Sequence, residues 1–552
     1  MEVSEVSYAC HAFEQGRIQP MTERNSTGSR WPSSVIGAGF AVAVVLYCYV
    51  VIRWPDNFFA DDSYFYFQVA WNIARGFGST FNNVMPTNGY HPLWMLVCVT
   101  VFKIFPAKSA AVHGIGAMIS LLDAGALVLL WRILGRVAPG FWWIAILAYA
   151  PFCFLTQLGT EGALSGFFLA ALVLATYKLC EAPSGAKGFI FALCGALAVL
   201  SRLDNIFIVS LIFLACYIAA PANVRAQVRR TLLLCIPVYV VLWGAYVGSN
   251  LHWFGTIQPI SGMLKAHPHG EVRHFSKPPH IALLGFGTVI AGTLILARIS
   301  RDTFFRVVEL PFAIGVVFHA AYITFVMSSE TRWSWYYTSW VLLSAILVSR
   351  IVFFALAKRG EALRIGLAAT ALVLLFYVWL LGDRRFGHTI DVSTQSGFEE
   401  VKSVPLHTAI AYDKPGRLAF YSDVRIVAID GLMGDISFQH ELATKGIAEF
   451  DARNHVDAFV GPTQPLDEYE RKVMCEQVYL SSMRFHCVAT GPGAWTVDGV
   501  EIFARLTGAS AGSLALPRKN LLTNNPIVAI WRLPAGPDEQ HEEQVQAPAV
   551  RP

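Results

Sequence analysis

Two adjacent carboxylates, Asp61 and Asp62, directly follow the first long apolar stretch of the chain. If that stretch spans a membrane, charged groups at its end are costly to desolvate, which favours a functional role. Either carboxylate could act as a general base that takes a proton from a hydroxyl group. Alternatively, the pair could only cap the next helix, with Asp62 as the N-cap. Residues 63–75 are rich in aromatic side chains and predict an amphipathic helix in the membrane interface.

Other polar residues stand at the ends of later apolar stretches. A turn-rich segment, residues 86–94, carries Asn88 and His91. The remaining candidates are Glu161, Arg202, Asp204, Lys265, Glu330, Arg332 and Tyr336. Acids beside cations suit a sugar-phosphate substrate, because carboxylates can accept a hydroxyl proton and cations can bind a phosphate.

Each of these residues also has a simpler structural interpretation. Glu161 could be an acidic residue favoured by the dipole at a helix N-terminus. Arg202 and Asp204 could form a structural ion pair. Lys265 could be solvated or bind a lipid phosphate, and Arg332 could extend along aromatic side chains to reach the interface. Their concentration at one side of the membrane is what favours a site.

The composition indicates an integral membrane protein. The 552 residues are 55% hydrophobic and 14% charged, with a mean hydropathy of +0.48, whereas soluble domains carry about 25% charged residues. The net charge of +4 is too small to suggest a nucleic-acid partner. About eleven runs are candidate spans: 34–53, 110–131, 141–158, 161–180, 188–202, 204–220, 231–250, 280–298, 308–327, 337–357 and 364–382. The shorter run 90–105 predicts a juxtamembrane or re-entrant segment, and the first run predicts a retained anchor.

The basic residues predict the orientation of these spans. Arginines and lysines follow every second span, and such clusters mark the cytoplasmic side. The N-terminal tail, residues 1–33, is then a cytoplasmic and disordered segment. Loops 54–109, 251–279 and 328–336 lie outside, and so does everything after residue 383. The candidate residues therefore collect on the outer face.

The polar tail predicts a second domain. Short β-like runs at 408–412, 425–429, 458–460, 485–489 and 500–504 alternate with helical stretches such as 435–450, which predicts a small α/β domain over 383–510. Residues 511–552 form an extension with a partly disordered end. Cys475 and Cys487 are the two cysteines in the outer domain, and a pair outside the membrane predicts a disulfide.

The motifs resemble those of the GT-C membrane glycosyltransferases, which include the protein mannosyltransferases and the enzyme that adds aminoarabinose to lipid A. The resemblance covers most of residues 35–460 and is strongest to an uncharacterised bacterial group. It rests on residues 61–66, 86–94, 159–164, 202–204, 254–262, 336–337 and 429–432. This chain departs from the group at Thr160 and Gly162, where Met and Thr are usual, and three residues separate Arg332 from Tyr336.

The resemblance implies an all-α membrane domain over 34–382 and the outer α/β domain. It also implies an enzyme of the bacterial inner membrane that moves a hexosyl or pentosyl group from a polyprenyl-phosphate donor, with inversion. The acceptor would be a hydroxyl of a cell-envelope glycan, lipid or protein. Asp61 or Asp62 would be the base, with Asp61 slightly favoured as the first acidic residue after the span. Some members of the superfamily use a divalent metal, so a metal remains open.

The resemblance also suggests roles for the other candidates. Arg202, Lys265 and Arg332 would contact phosphate, while Glu161 and His91 would contact the acceptor or the sugar. Two rival functions remain, a polytopic transporter or lipid flippase and a non-catalytic scaffold. The chain shows no internal repeat of the kind common in transporters, and its polar residues collect at span ends rather than at the midplane, apart from Asp123.

Overall fold

The structure is a computed structural model, and it describes the chain in segments. These are residues 31–83, 85–156, 159–266, 280–300, 302–327, 334–356, 409–412, 416–422, 425–428, 433–434, 456–462, 487–491, 494–497, 502–506 and 528–532.

Helices make up the part of the chain that precedes the tail. In chain order they are α1 (Trp31–Arg53), α2 (Asp61–Ala74), α3 (Pro92–Ile104), α4 (Lys108–Val137), α5 (Trp142–Thr156), α6 (Gly162–Glu181), α7 (Gly185–Ser201), α8 (Ile206–Ala219), α9 (Arg225–Phe254), α10 (Ile260–Lys265), α11 (His280–Ile299), α12 (Leu310–Phe325) and α13 (Thr338–Leu356). A π-helical turn, Phe305–Glu309, leads into α12.

Ten of the predicted spans coincide with helices, and the eleventh, 364–382, lies outside the described residues. Six described helices are long and apolar enough to cross a membrane: Lys108–Val137, Gly162–Glu181, Arg225–Phe254, Ala282–Ile299, Phe305–Phe325 and Trp335–Leu356. Four shorter apolar helices accompany them. A multi-helix membrane domain is therefore confirmed, while the count of eleven spans stays a prediction.

Helix α2 corrects one expectation about the paired carboxylates. Its N-cap is Ala60, and Asp61 and Asp62 are the first two helical residues, so Asp62 is not the N-cap. Acidic side chains in the first turn still interact favourably with the helix dipole. Helix α2 begins two residues earlier than a cap at Asp62 would allow. Because successive helical residues are rotated by about 100°, the two carboxylates point to different sides of the helix.

Buried polar contacts join the helices. Asp123 in α4 is fully buried and accepts a hydrogen bond of 2.6 Å from the hydroxyl of Tyr47 in α1. Arg350 in α13 is fully buried as well and pairs with Glu309, the last residue of the π-helical turn, and with Asp302 before that turn. Buried ion pairs of this kind fix how neighbouring helices align.

The described part of the tail contains seven strands and one short helix. The strands are β1 (Ala409–Tyr412), β2 (Ile426–Ala428), β3 (Val456–Pro462), β4 (Cys487–Gly491), β5 (Ala494–Val497), β6 (Ile502–Leu506) and β7 (Val528–Arg532). Five of them form a sheet in the order β2-β1-β3-β7-β6, with β1 parallel to β2 and β3, while β7 is antiparallel to both of its neighbours. Strands β4 and β5 pair separately. Helix α14 (Gly416–Ser422) joins β1 to β2.

All five β-like runs of the sequence correspond to strands, while β5 and β7 were not expected. An α/β domain over 383–510 stays a prediction, because most of that range, including the helical stretch 435–450, lies outside the described residues. The same holds for Cys475, so the disulfide with Cys487 is untested. The tails 1–30 and 533–552 also lie outside them.

Candidate functional site

Arg202 is the centre of a buried charge cluster. It lies between α7 and α8, where a single turn of 3-10 helix, Leu203–Asn205, follows it. Its guanidinium donates to Glu161 Oε1 at 2.8 Å and, as a two-pronged fork, to Asp204 Oδ1 at 2.9 Å and Oδ2 at 2.8 Å. Arg202 and Glu161 are each only 2% exposed. Fork geometry of this kind makes strong, directional pairs.

Glu161 connects this cluster to the first loop. It occupies the N-cap position of α6, but its side chain makes no capping bond and faces Arg202 instead. The hydroxyl of Tyr66 donates to Glu161 Oε2 at 3.1 Å and accepts the backbone N–H of His91 at 3.3 Å. Gly159 makes this approach possible, because its φ is +82° and an added Cβ would lie 2.6 Å from Ser63 Oγ of α2.

His91 faces the same carboxylate. Its Nδ1 accepts the backbone N–H of Leu203 at 3.4 Å, so the proton of the neutral ring sits on Nε2, which lies 3.5 Å from Glu161 Oε1. Burial, together with Arg202 and Lys265, lowers the pKa of His91 in spite of Glu161. The ring is therefore neutral at pH 7 and can donate or accept a hydrogen bond without carrying charge.

Two residues that the sequence did not indicate complete the cluster on its far side. His319 of α12 is 1% exposed, and its Nε2 lies 2.9 Å from Asp204 Oδ2. Trp340 of α13 donates from Nε1 to His319 Nδ1 at 3.0 Å. Burial alone would raise the pKa of Asp204, but Arg202 and His319 hold it well below its usual range. Asp204 is thus an ionised partner of Arg202.

Lys265 is a partly exposed cation of the site, and it contacts the buried Tyr336. The Arg202 guanidinium lies over the Tyr336 ring at 4.0 Å, and the Lys265 amine donates to the Tyr336 hydroxyl at 3.2 Å. Burial alone would lower the pKa of Lys265, but Tyr336 and Asp62 raise it. Lys265 is therefore a cation, and Asp62 of α2, which is half-buried, lies within its electrostatic reach.

Asp61 faces a different partner from Asp62. It is buried, and its two oxygens accept the backbone N–H groups of Gly416 at 3.0 Å and Arg417 at 2.8 Å, at the start of α14. The Arg417 side chain donates to the carbonyl oxygens of Asp56 and Phe59. Burial raises the pKa of Asp61 to about 7, although the Arg417 N–H opposes the shift. Asp61 therefore attaches the tail to the first loop.

Asn88 connects its own segment to two helices through hydrogen bonds. Its Nδ2 donates to Asn250 Oδ1 and to the Gln258 carbonyl, both at 3.2 Å, and its Oδ1 accepts the Ile260 N–H at 2.9 Å. These bonds hold the segment 86–94 against α9 and α10, and α10 ends at Lys265. The side chain thereby helps to position Lys265.

The structure thus brings together Glu161, Arg202, Asp204, His91, Lys265, Tyr336 and Asp62. It places Asp61 and Asn88 at neighbouring loop contacts, while Glu330 and Arg332 lie outside the described residues. Among the residues that the structure does describe, no group of three or more His, Cys, Asp or Glu side chains is placed to hold a metal ion.

The fold and the cluster define a polytopic helical membrane protein with a buried charged site at the ends of its helices. The crystal structure of ArnT from Cupriavidus metallidurans bound to undecaprenyl phosphate shares this fold, with a TM-score of 0.53 and 12% identity over 84% of this chain and 98% of that chain. The apo crystal structure of the same protein matches with a TM-score of 0.49 and 14% identity, over 77% and 93% of the two chains. ArnT is the lipid A aminoarabinose transferase, a GT-C glycosyltransferase.

No family model matches the chain, and no curated protein matches it. The similarity to ArnT is one of fold, and this fold agrees with the one that the sequence motifs indicated.

Proposed function

We propose that this chain is a membrane glycosyltransferase that moves a sugar from a polyprenyl-phosphate donor to an acceptor hydroxyl of the cell envelope, with inversion at the anomeric carbon. The observation that carries the proposal is that Asp62 lies within electrostatic reach of Lys265, beside the buried Arg202 cluster. A carboxylate and a cation within electrostatic reach of each other suit a hydroxyl nucleophile and a phosphate leaving group. The fold of an ArnT bound to undecaprenyl phosphate supports the class of donor.

Asp62 is the better candidate for the base. The sequence slightly favoured Asp61, but both oxygens of Asp61 are engaged by the tail. Asp62 is half-buried and interacts electrostatically with Lys265, so it lies on the side where a phosphate would bind. Asp61 serves the reaction indirectly, because it holds α14 against the first loop and so supports the first turn of α2.

Lys265 is the better candidate for the phosphate contact. Three of the Arg202 donors already bind Glu161 and Asp204, so two carboxylates compensate its positive charge. Within the described residues, Lys265 uses one donor on Tyr336, and an ammonium group has two more that could bind an anion. The acceptor oxygen would attack the anomeric carbon while its proton passes to Asp62, and the bond between that carbon and the phosphate oxygen would break. The polyprenyl phosphate would leave with its new charge beside Lys265.

Several finer points belong to the same proposal. The protein would lie in the bacterial inner membrane with about eleven spans and a cytoplasmic N-terminus, and its small α/β domain would be extracytoplasmic. His91 and Glu161 would contact the sugar or the acceptor. The transferred group would be a hexose or a pentose, and the acceptor a glycan, lipid or protein.

Transfer by the purified full chain tests the proposal, with radiolabelled polyprenyl-phosphate sugar and cell-envelope extract as acceptor. Asp62→Asn should lower the rate by about 10²–10⁴-fold, which is the usual contribution of a general base. Asp61→Asn should retain measurable transfer. Lys103→Gln, which changes an exposed lysine on α3, is the control and should match the wild type.

Full activity of Asp62→Asn would refute the role of Asp62. A flippase would behave differently, because it would move the labelled lipid between leaflets of a vesicle without releasing polyprenyl phosphate. That result would refute the proposed function as a whole.

A further inference from the structure

Two buried hydrogen bonds connect Trp340 of α13 to Asp204 through His319 of α12. The indole Nε1–H of Trp340 donates to His319 Nδ1 at 3.0 Å. An indole nitrogen can only donate, so Nδ1 is the acceptor and the ring proton lies on Nε2. That nitrogen in turn donates to Asp204 Oδ2 at 2.9 Å. The bond from Trp340 therefore determines the tautomer of His319 and directs its N–H at Asp204.

The bond from His319 fixes the plane of the Asp204 carboxylate, and that plane orients Arg202. Oδ2 accepts both His319 Nε2 and a terminal nitrogen of Arg202, at 2.9 Å and 2.8 Å, while Oδ1 accepts the Arg202 Nε at 2.9 Å. A two-pronged guanidinium–carboxylate pair has a fixed, planar geometry. Since His319 holds the carboxylate, the guanidinium keeps one orientation. His319 thus acts on Arg202 through Asp204.

The oriented guanidinium supports the ring of Tyr336. The carbon of the Arg202 guanidinium lies 4.0 Å from the centre of that ring, and a planar guanidinium stacks well on an aromatic face. The Tyr336 hydroxyl accepts the Lys265 amine at 3.2 Å. A rotation of Arg202 would therefore disturb the ring on which it lies, and with it the contact from the ring hydroxyl to Lys265.

These contacts form a closed ring. Tyr336 and Trp340 lie four residues apart at the start of α13, in the 3-10 turn Ser334–Tyr337 and in the helix that follows it. Trp340 binds the start of α13 to His319, and Tyr336 binds it to Arg202. Buried polar networks with every member engaged are rigid and specify one arrangement. The ring therefore holds Tyr336 from two directions.

We infer that His319 and Trp340 are positioning residues for the phosphate-binding amine of Lys265, an inference that rests on the proposed function. The two side chains hold Arg202 and Tyr336 in the orientation in which the Tyr336 hydroxyl places Lys265 beside the departing phosphate. Catalytic groups must be held within about 0.5 Å of the productive geometry, and locked side chains behind them provide that accuracy. Lys265 is the group that touches substrate, and the buried ring supports it.

Two variants of His319 separate its hydrogen bonds from its volume. In glutamine the amide oxygen and nitrogen flank one carbon, as Nδ1 and Nε2 do, so His319→Gln can accept from Trp340 and donate to Asp204. Leucine can do neither. In the transfer assay, His319→Leu should lower kcat by about 10–100-fold, because small displacements of catalytic groups have effects of this size. His319→Gln should remain close to the wild type.

The kinetic constants and a second variant extend this test. The KM for the lipid-linked sugar should change little in His319→Leu, because the support acts on charge that develops in the transition state. Trp340→Phe removes the indole N–H and keeps an aromatic ring, so it should lower kcat with the same unchanged KM. If His319→Leu does not fold, Trp340→Phe takes its place in every comparison.

A double-mutant cycle distinguishes positioning from stability. If His319 acts through Lys265, His319→Leu should lower kcat in the wild-type background and have little further effect in Lys265→Met, where the amine is already absent. A role in stability alone would give the same loss in both backgrounds. Tyr336→Phe keeps the ring beside Arg202 but removes the hydroxyl, so His319→Leu should have little further effect there as well.

Tyr47→Phe is the matched control. The Tyr47 hydroxyl donates to the buried carboxylate of Asp123 at 2.6 Å, between α1 and α4. Tyr47→Phe and His319→Leu therefore each remove a donor from a buried aspartate, and both should lower the melting temperature. Only His319→Leu should lower kcat.

Three results would overturn the inference. One is an equal effect of His319→Leu on kcat in the wild-type and Lys265→Met backgrounds. Another is a loss of kcat in Tyr47→Phe as large as that in His319→Leu. The third is a His319→Gln variant as slow as His319→Leu.

Lys265→Met separates this inference from the proposed function. If Lys265→Met is slow and both His319→Leu and Trp340→Phe are as fast as the wild type, the positioning role is wrong and the proposed function stands. If Lys265→Met transfers at the wild-type rate while Asp62→Asn is slow, the phosphate contact and the positioning role are wrong and the transferase stands. A wild-type chain that transfers no sugar would refute both proposals.

Discussion

Replacing Arg202 and Lys265 in turn with methionine separates a cation that stabilises the fold from one that binds substrate. Both lie against Tyr336, over the ring and at the hydroxyl respectively. Arg202 is 2% exposed and contacts two carboxylates at 2.8 Å. Lys265 makes its one described hydrogen bond to a neutral hydroxyl.

The magnitudes follow from these contacts. Arg202→Met leaves Glu161 and Asp204 buried without their main counter-charge, and breaking a buried pair in this way costs about 3–5 kcal/mol. Lys265→Met removes no ion pair of that kind, so its melting temperature should change little. If Lys265 binds the leaving phosphate, however, its loss should lower kcat by about 10²–10³-fold, as for other groups that stabilise developing charge.

Thermal unfolding in detergent and steady-state transfer kinetics measure the two effects. Lys187→Met is the matched control for Lys265→Met, because Lys187 is also half-buried with one hydrogen bond to an uncharged acceptor, the Ala182 carbonyl. Adding Glu161→Gln and Asp204→Asn to Arg202→Met should restore most of the lost stability, since no uncompensated charge then remains buried.

Two results would refute the reasoning. One is a lower melting temperature for Lys265→Met than for Arg202→Met. The other is a charge-neutral triple variant that is no more stable than Arg202→Met alone, because the cost would then not come from buried charge.

Two further predictions concern the contact between Asp61 and the tail. Gly416→Ala should detach α14, because the added Cβ would lie 2.2 Å from the Asp61 carbonyl oxygen, and limited proteolysis should cut the tail faster; Gly135→Ala, where the Cβ meets open space, should behave as the wild type. Burial raises the Asp61 pKa from 3.8 to about 7, so the folded state binds this proton more tightly than the unfolded state does. The contribution of Asp61 to the free energy of unfolding is therefore greatest below pH 4. It falls by up to about 4 kcal/mol as the pH rises to 7, and it does not change further above pH 7. Melting temperatures across that range should show this slope in the wild type, and an equal slope in Asp61→Asn would contradict it.

The sequence predicted the helical spans well because their signal is local. A long apolar run determines a span without reference to distant residues, so ten runs matched helices within a few residues. The strands β1 and β2 were predictable for the same reason. Strand β7 was missed, since it follows a long polar stretch, and the antiparallel partners β3 and β6 precede it by tens of residues.

The site was predicted only where motifs sit at the ends of spans. Glu161, Arg202 and Asp204 were found because charged residues are rare beside apolar runs. His319 was missed, although it interrupts the apolar sequence of α12. A single histidine in a span is indistinguishable in sequence from an isolated core residue, and its role becomes clear only from the 2.9 Å distance to Asp204. Arg417 gave no signal at all, since its partner Asp61 precedes it by more than 350 residues.

The π-helical turn before α12 sets the rotational phase of that helix. Glu309 pairs with Arg350 and His319 pairs with Trp340, and ten residues separate the two positions on each helix, so both contacts belong to one antiparallel register. Asp302 also reaches Arg350, but from the other side of the π-helical turn. A π-helical turn takes up one extra residue, which corresponds to about 100° of rotation.

Deletion of one residue within Phe305–Glu309 would therefore swing Asp302 away from Arg350 while His319 stayed on Asp204. The π-helical turn therefore allows the segment near Asp302 to vary in length while His319 keeps its alignment with Asp204.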